Sequence, residues 1–335
     1  MADHQILVGD AGGTNVRLAI ARVSGGTVSL PEIWKRPGAD FKTFDAAIEA
    51  FLATLAGDQR PQLSGAAFGF AGPVKDGRIQ LLHRDWLVEK DKLRAKLGIS
   101  RVVMVNDFFA MARAAPELSG KDLREIARGE ADPQGSLAIG GPGTGFGVAI
   151  MRRLIDDRPP ITDGWVVVGG EGGHQAYSPQ TDIEWKLAEE LRQSVGYVSN
   201  ELVASGSGFD DSWEALCHVM GAAPRRLSQQ DVLDRAKQGE GVALEFCRIR
   251  ARCVMTAMGN LALVSNATGG VFIAGGVSVH LEPWLKELSA LDRFRKRGPR
   301  SDLVAPIPIR LIVSEAAPLI GAAKLWLDEE ARGWL

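Results

Sequence analysis

The apolar positions of the chain follow two alternating periods. From Gln5 to Val8 a short apolar run stops at Gly9-Asp10, and after a glycine turn Val16 to Ala21 resumes, which predicts strand, tight turn, strand. Thr43 to Leu55 carries apolar residues at 3–4 spacing behind a Thr cap and predicts a helix. Ala66 to Phe70, closed by Gly72-Pro73, and Arg101 to Val105 predict two further strands. The same grammar returns about 130 residues later. Ser136 to Gly140 predicts a strand, GGPGTGFG fills 140–147, and Val148 to Met151 resumes as a strand. Helical patterns follow at Asp182 to Gln193, Ser228 to Lys237 and Gly241 to Val264. Val271 to Ala274 reads as a buried strand ending in Gly275-Gly276, Ile309 to Val313 as a last strand, and Pro318 to Trp326 as the start of a terminal helix.

Composition narrows the function classes. A chain of 335 residues, 45% of them hydrophobic, has material for about two domains, each with its own core. Lys plus Arg number 39 against 41 Asp plus Glu, a formal charge of −2, so no basic excess points to nucleic acid or to an anionic membrane. No apolar run approaches the roughly 18 residues of a membrane span. The start, MADHQILVGD, shows neither a signal nor a transit pattern. Cys217, Cys247 and Cys253 form no CxxC pair and are too few for a disulfide framework, which favours a reducing, cytoplasmic setting. Glycine is in excess and clustered, and those clusters are where chemistry is to be sought.

The first cluster is Asp10-Ala11-Gly12-Gly13-Thr14-Asn15. Adjacent glycines let backbone N–H groups approach a phosphate, Thr14 adds a hydroxyl, and Asp10 can hold hydrated magnesium; an ordinary glycine hairpin fits the same residues. Gly143-Thr144-Gly145 repeats the device between two strands, so a duplicated domain with phosphates clamped between its halves becomes the reading. GxxxxGK[ST] is absent and neither loop is a GxGxxG opening a helix, which weakens P-loop and Rossmann assignments. A strand delivers Asn106 and Asp107 to the start of a helical segment, where an Asp serves either as a helix N-cap or as the acceptor of a hydroxyl proton during phosphoryl transfer. Four glycines surround Glu171 and His174 in GGEGGH, a backbone that can fold closely about a small polar ligand such as a sugar; the other histidines give no HxxxH or HxH, so zinc is not expected.

Taken together, DAGGTN, VNDF, GPGTGFG, GGEGGH, VSNE at 198–201 and FIAGG at 272–276 make the chain resemble the bacterial glucokinase family, the hexokinase-like branch of the actin-type ATPase fold, over nearly its whole length. The cysteine-rich zinc motif of the ROK sugar kinases is missing. The resemblance implies an α/β protein of two ribonuclease-H-like domains around a deep cleft. The smaller would hold residues 1–110 plus the terminal helix 318–335, the larger residues 111–317. It implies ATP-dependent phosphorylation of glucose at the 6-hydroxyl, feeding glycolysis, with Mg²⁺ as the accompanying ion.

Carried over residue by residue, Asp107 matches the family's catalytic base. Asn106, Glu171, His174 and Glu201 match the other sugar ligands. Asp10, Gly12, Gly13, Thr14 and Asn15 match the first phosphate loop, with Asp10 holding the metal through water. Gly143, Thr144 and Gly145 match the second loop, and Gly275 with Gly276 the adenosine-side turn. Two departures stand out. Leu82-His83-Arg84-Asp85-Trp86 replaces a TNxxW segment, and Ser205-Gly206-Ser207-Gly208 replaces SGPG. An actin-like ATPase switch or chaperone would need the phosphate loops but not GGEGGH and Asp107; a kinase of another hexose or an amino sugar would need both sets. Residue types leave the hexose range and the oligomeric state, a homodimer included, open.

Overall fold

Strand β1 (His4–Ala11) and strand β2 (Asn15–Ser24) pair antiparallel, with Asp10 opposite Arg17 and Ala11 opposite Val16, so the predicted hairpin forms around the first glycine cluster. The computed structural model describes residues 3–12, 14–55, 61–81, 84–154, 164–224 and 226–332. Short β3 (Thr27–Ser29) and β4 (Trp34–Pro37) both pair with β2. Helix α1 (Phe44–Thr54) starts at Thr43, whose hydroxyl accepts the Ala46 N–H, and buries Phe44, Ala47, Ile48 and Phe51. Next come β5 (Gly65–Phe70), the β6 (Arg78–Gln80) and β7 (Leu87–Glu89) hairpin, α2 (Lys90–Leu97), β8 (Val102–Asn106) and α3 (Asp107–Ala114). The sheet runs β3-β2-β1-β5-β8, with β1, β5 and β8 parallel.

A second sheet repeats this plan. After β9 (Leu123–Ala127), strands β10 (Leu137–Pro142) and β11 (Phe146–Arg153) form an antiparallel hairpin, and β12 (Trp165–Gly170) leads into the GGEGGH segment. Helices α4 (Asp182–Val195), α5 (Asn200–Ala204), α6 (Phe209–Val219), α7 (Gln229–Lys237) and α8 (Gly241–Ser265) precede β13 (Gly270–Ile273). Then come α9 (Gly276–His280), α10 (Glu282–Leu285), α11 (Leu288–Arg295), α12 (Ser301–Val304), β14 (Ile309–Ile312) and α13 (Ala317–Arg332). Here β10 is parallel to β13 and β13 to β14, so in both sheets a hairpin's first strand is followed across the sheet by two parallel strands. Most of α8 is buried, from Ala243 to Ala262, in a core shared with α5, α6, α7 and α11. The three cysteines are free and buried, and burial pushes the Cys247 thiol up to about 12. Among the described residues no helix is long and apolar enough to cross a membrane.

The chain packs as two units: residues 1–122, 153–168 and 314–335 in one, residues 123–152 and 169–313 in the other. The first therefore runs past the expected limit at 110. That limit cuts α3, which is bound to α13 through the ion pair of Arg113 Nε with Asp328 Oδ2 at 2.7 Å, so helix and terminal helix fall in one body. Between β11 and β12 the Arg153 guanidinium lies 5.0 Å over the Trp165 ring.

Candidate active site

In the first unit the parallel strands bring their carboxyl ends level. Asp10 is in register with Gly69, Gly69 with Val105, and Phe70 with Asn106. The carboxyl edge of a parallel sheet is where such folds expose ligand-binding groups. Asp10, only 5% exposed, takes a hydrogen bond and ion pair from Arg17 Nη1 on the neighbouring strand, 2.6 Å from Oδ2. Burial pushes the Asp10 carboxyl above its ordinary range, against the charge and hydrogen bond of Arg17.

One residue beyond β8 the backbone turns into α3, and the capping role falls to Asn106 rather than Asp107. Asn106 Oδ1 accepts the N–H groups of Phe108 at 2.9 Å and Phe109 at 3.3 Å, while its Nδ2 donates to the Gly72 carbonyl at 3.2 Å. Asp107 is thereby left as the first helical residue, its Oδ1 accepting the Phe108 N–H at 2.8 Å, an N–H it shares with Asn106. Burial, and after it the negative charge of Asp10, raises Asp107 to about 7. Such a carboxyl is a competent proton acceptor near neutrality. The folded state favours its protonated form, so the associated stability is full below the usual aspartate range and is lost as pH rises through about 7.

In the second unit the β10–β11 turn is Gly143-Thr144-Gly145, closed by the Gly143 N–H to the Gly145 carbonyl at 2.8 Å. The loop after α5 pairs with it: Gly206 N–H donates to the Gly143 carbonyl at 2.9 Å and Ser207 N–H to the Thr144 carbonyl at 2.8 Å. Ser207 therefore keeps its backbone N–H in this contact, and its hydroxyl lies 2.9 Å from that of Ser205. Glu201, in the first turn of α5, accepts the Phe146 N–H at 2.7 Å through Oε2, and its Oε1 is 3.8 Å from His174 Nε2. The His174 carbonyl takes the Tyr197 hydroxyl at 2.8 Å, and Asn200 N–H donates to the Gln175 carbonyl at 2.9 Å. Glu171 is exposed at the head of the short turn Gly172–His174.

Asp10, Asn106 and Asp107 thus meet in one unit, and His174, Glu201 and the Gly143–Gly145 loop in the other. Gly12, Thr14 and Asn15 flank the first hairpin turn; Gly13 and His83 lie outside the described residues. Residue-type reasoning missed Arg17, the partner of Asp10, which counting cross-strand register from the hairpin turn would have reached. It also missed Arg250, whose buried guanidinium donates to the Ala204 and Ser205 carbonyls and fixes the loop beside Thr144. No sequence pattern marks that arginine. Gly275 is held at φ +93°, and a Cβ there would collide with the Pro142 carbonyl, whereas Gly276 has open space. Gly275→Ala is therefore expected to lower stability by about 2 kcal/mol or more in a denaturant titration, and Gly276→Ala by less than about 0.5 kcal/mol.

The glucokinase family model matches residues 7–329 of the chain. The glucokinase of Caulobacter sp. strain K31 is 37% identical over 321 residues, covering 95% of this chain and 93% of that protein. Among solved structures, a glucokinase from an Antarctic psychrotroph superposes with a TM-score of 0.85 at 31% identity, covering 96% of this chain and 98% of that one. A glucokinase of Balamuthia mandrillaris in complex with glucose shares the fold at a TM-score of 0.75 and 19% identity, covering 98% and 94%. With an α/β architecture and a match over almost its full length, the chain belongs to the glucokinase family.

Proposed function

We propose that the protein transfers the γ-phosphoryl group of ATP to the 6-hydroxyl of glucose with Asp107 as general base. The observation that carries this reading is a carboxyl raised to about 7 at the carboxyl edge of parallel strands, one residue past the Asn106 that caps α3. The 6-oxygen gives its proton to the Asp107 carboxylate as it bonds to the γ-phosphorus, and the bond from that phosphorus to the bridging oxygen breaks to release ADP. Asn106, Glu171, His174 and Glu201 bind the remaining sugar hydroxyls; the 3.8 Å approach of His174 to Glu201 and their shared support by α5 favour that pairing. Asp10 through Asn15 and Gly143 through Gly145 take the phosphates, with Gly275 and Gly276 on the adenosine side. The matching strand plans of the two sheets support a pair of ribonuclease-H-like domains.

Among the described residues no three His, Cys, Asp or Glu side chains cluster to enclose a metal. That donor set suits a magnesium ion held mainly by water and phosphate oxygens, with Asp10 the residue that would hold it through water. Magnesium, when bound, neutralises phosphate charge. Asp10 is itself oriented by Arg17 through Oδ2. The free, buried thiols fit a cytoplasmic enzyme.

A coupled assay of ADP release across glucose, mannose, fructose, galactose and glucosamine tests the reading. Glucose is expected to give the highest kcat/KM and ADP release to depend on sugar. Equal ADP release without sugar would instead mark a nucleotide switch, and preference for another sugar would replace the substrate.

A further inference from the structure

The segment that departs from the family pattern at 82–86 carries a contact to the first phosphate loop. Arg84 Nη2 donates to the Thr14 carbonyl at 2.8 Å, and the same carbonyl accepts the Gly38 N–H at 2.9 Å. The guanidinium is held on two sides. Its carbon lies 5.1 Å over the buried Trp86 ring, and on the other side it occupies the space that a Cβ on residue 38 would fill. A planar, always charged group stacked on an indole and donating along its edge suits arginine and not lysine. Gly38 has an ordinary backbone conformation, since it is absent from the positive-φ residues, so its lack of a side chain is explained by this close approach rather than by a turn.

We propose that Arg84 is a positioning residue for the triphosphate of ATP: by fixing the Thr14 carbonyl, it holds the Thr14–Asn15 peptide unit, with its Asn15 N–H and the Thr14 Cα that carries the hydroxyl, in one orientation toward the phosphate. A peptide unit tied at its carbonyl from two directions has one orientation to offer, and a pre-oriented donor loses less freedom on binding than a mobile one. The inference rests on the assignment of Thr14 to the nucleotide side, and it adds a residue at a position that the TNxxW pattern leaves open, beside the departing Leu82 and His83.

The test is titration of the wild type and of Arg84→Met, Arg84→Lys and Gly38→Ala with ATP and with its β,γ-imido analogue by calorimetry, alongside steady-state KM for ATP and for glucose. Arg84→Met keeps the stem over Trp86 and removes the donor. It is expected to raise the dissociation constant and KM for nucleotide about five- to tenfold, the scale of one hydrogen bond, and to leave KM for glucose within about twofold. Arg84→Lys should recover part of the loss. Gly38→Ala, which displaces the guanidinium without touching residue 84, should show the same nucleotide-selective change and serves if Arg84→Met fails to fold. Nucleotide affinity within about twofold of wild type in both Arg84→Met and Gly38→Ala, or equal losses for nucleotide and glucose, would overturn the proposal. Failure of the wild type to phosphorylate glucose would instead reject the proposed reaction, while the calorimetric comparison would still decide the role of Arg84.

Discussion

Asp107→Asn is expected to lower kcat by about 10²–10⁴-fold while glucose still binds. The amide keeps the shape of the carboxyl and its place at the start of α3, and Asn106 goes on capping the helix through Phe108 and Phe109. What is lost is the proposed proton acceptor and its charge. Because burial and Asp10 disfavour the ionised form of Asp107, the variant should be no less stable than the wild type at pH 8. Calorimetric glucose binding, thermal unfolding and single-turnover kinetics together separate these effects. A variant that keeps more than about a tenth of wild-type kcat would remove Asp107 from the chemistry.

The largest expected stability effect lies one helix length from that carboxyl. Arg113 is fully buried in α3 and pairs with Asp328 of α13 through Nε at 2.7 Å and Nη2 at 3.2 Å. Asp328→Ala leaves a buried guanidinium with a weaker set of partners, which for a buried pair costs about 3–5 kcal/mol. Glu117 remains 3.6 Å from Arg113 Nη1, and it also pairs with Lys324 at 2.9 Å, so the loss should sit near the lower end of that range. Urea unfolding measures it. The double variant Arg113→Met with Asp328→Leu should recover most of the loss, since an apolar pair of similar volume carries no charge to desolvate. If the single variant cost less than about 1 kcal/mol, solvent or Glu117 would already be satisfying the arginine.

Much of this was legible in the sequence, and the reasons differ from place to place. The hairpin around Asp10, the Thr43 cap and the strand into Asn106 follow from local periodicity and turn chemistry, which is why they appear where the pattern puts them. The duplication of the sheet was readable because glycine turns in equivalent hairpins leave the same mark twice. The assignment of the cap was not readable: Asn106 and Asp107 are both good capping residues, and only the backbone direction at the end of β8 decides that Asn106 takes the N–H groups. The extent of the first unit depends on a pairing 215 residues apart, between Arg113 and Asp328, which no local pattern encodes. Arg84 hides for a related reason, since its contact with Thr14 spans 70 residues and its stacking on Trp86 is a two-residue spacing with no periodic signature.

The proposed role of Asp107, a base raised well above an ordinary aspartate, is tested most directly by the pH dependence of kcat/KM for glucose. The profile of kcat/KM reports the free enzyme, and the base works only when ionised. The value should therefore fall about tenfold per pH unit on the acid side of about 7 and level off above it. A profile that stays flat down to pH 5, with its acid limb in the ordinary aspartate range, would contradict the account.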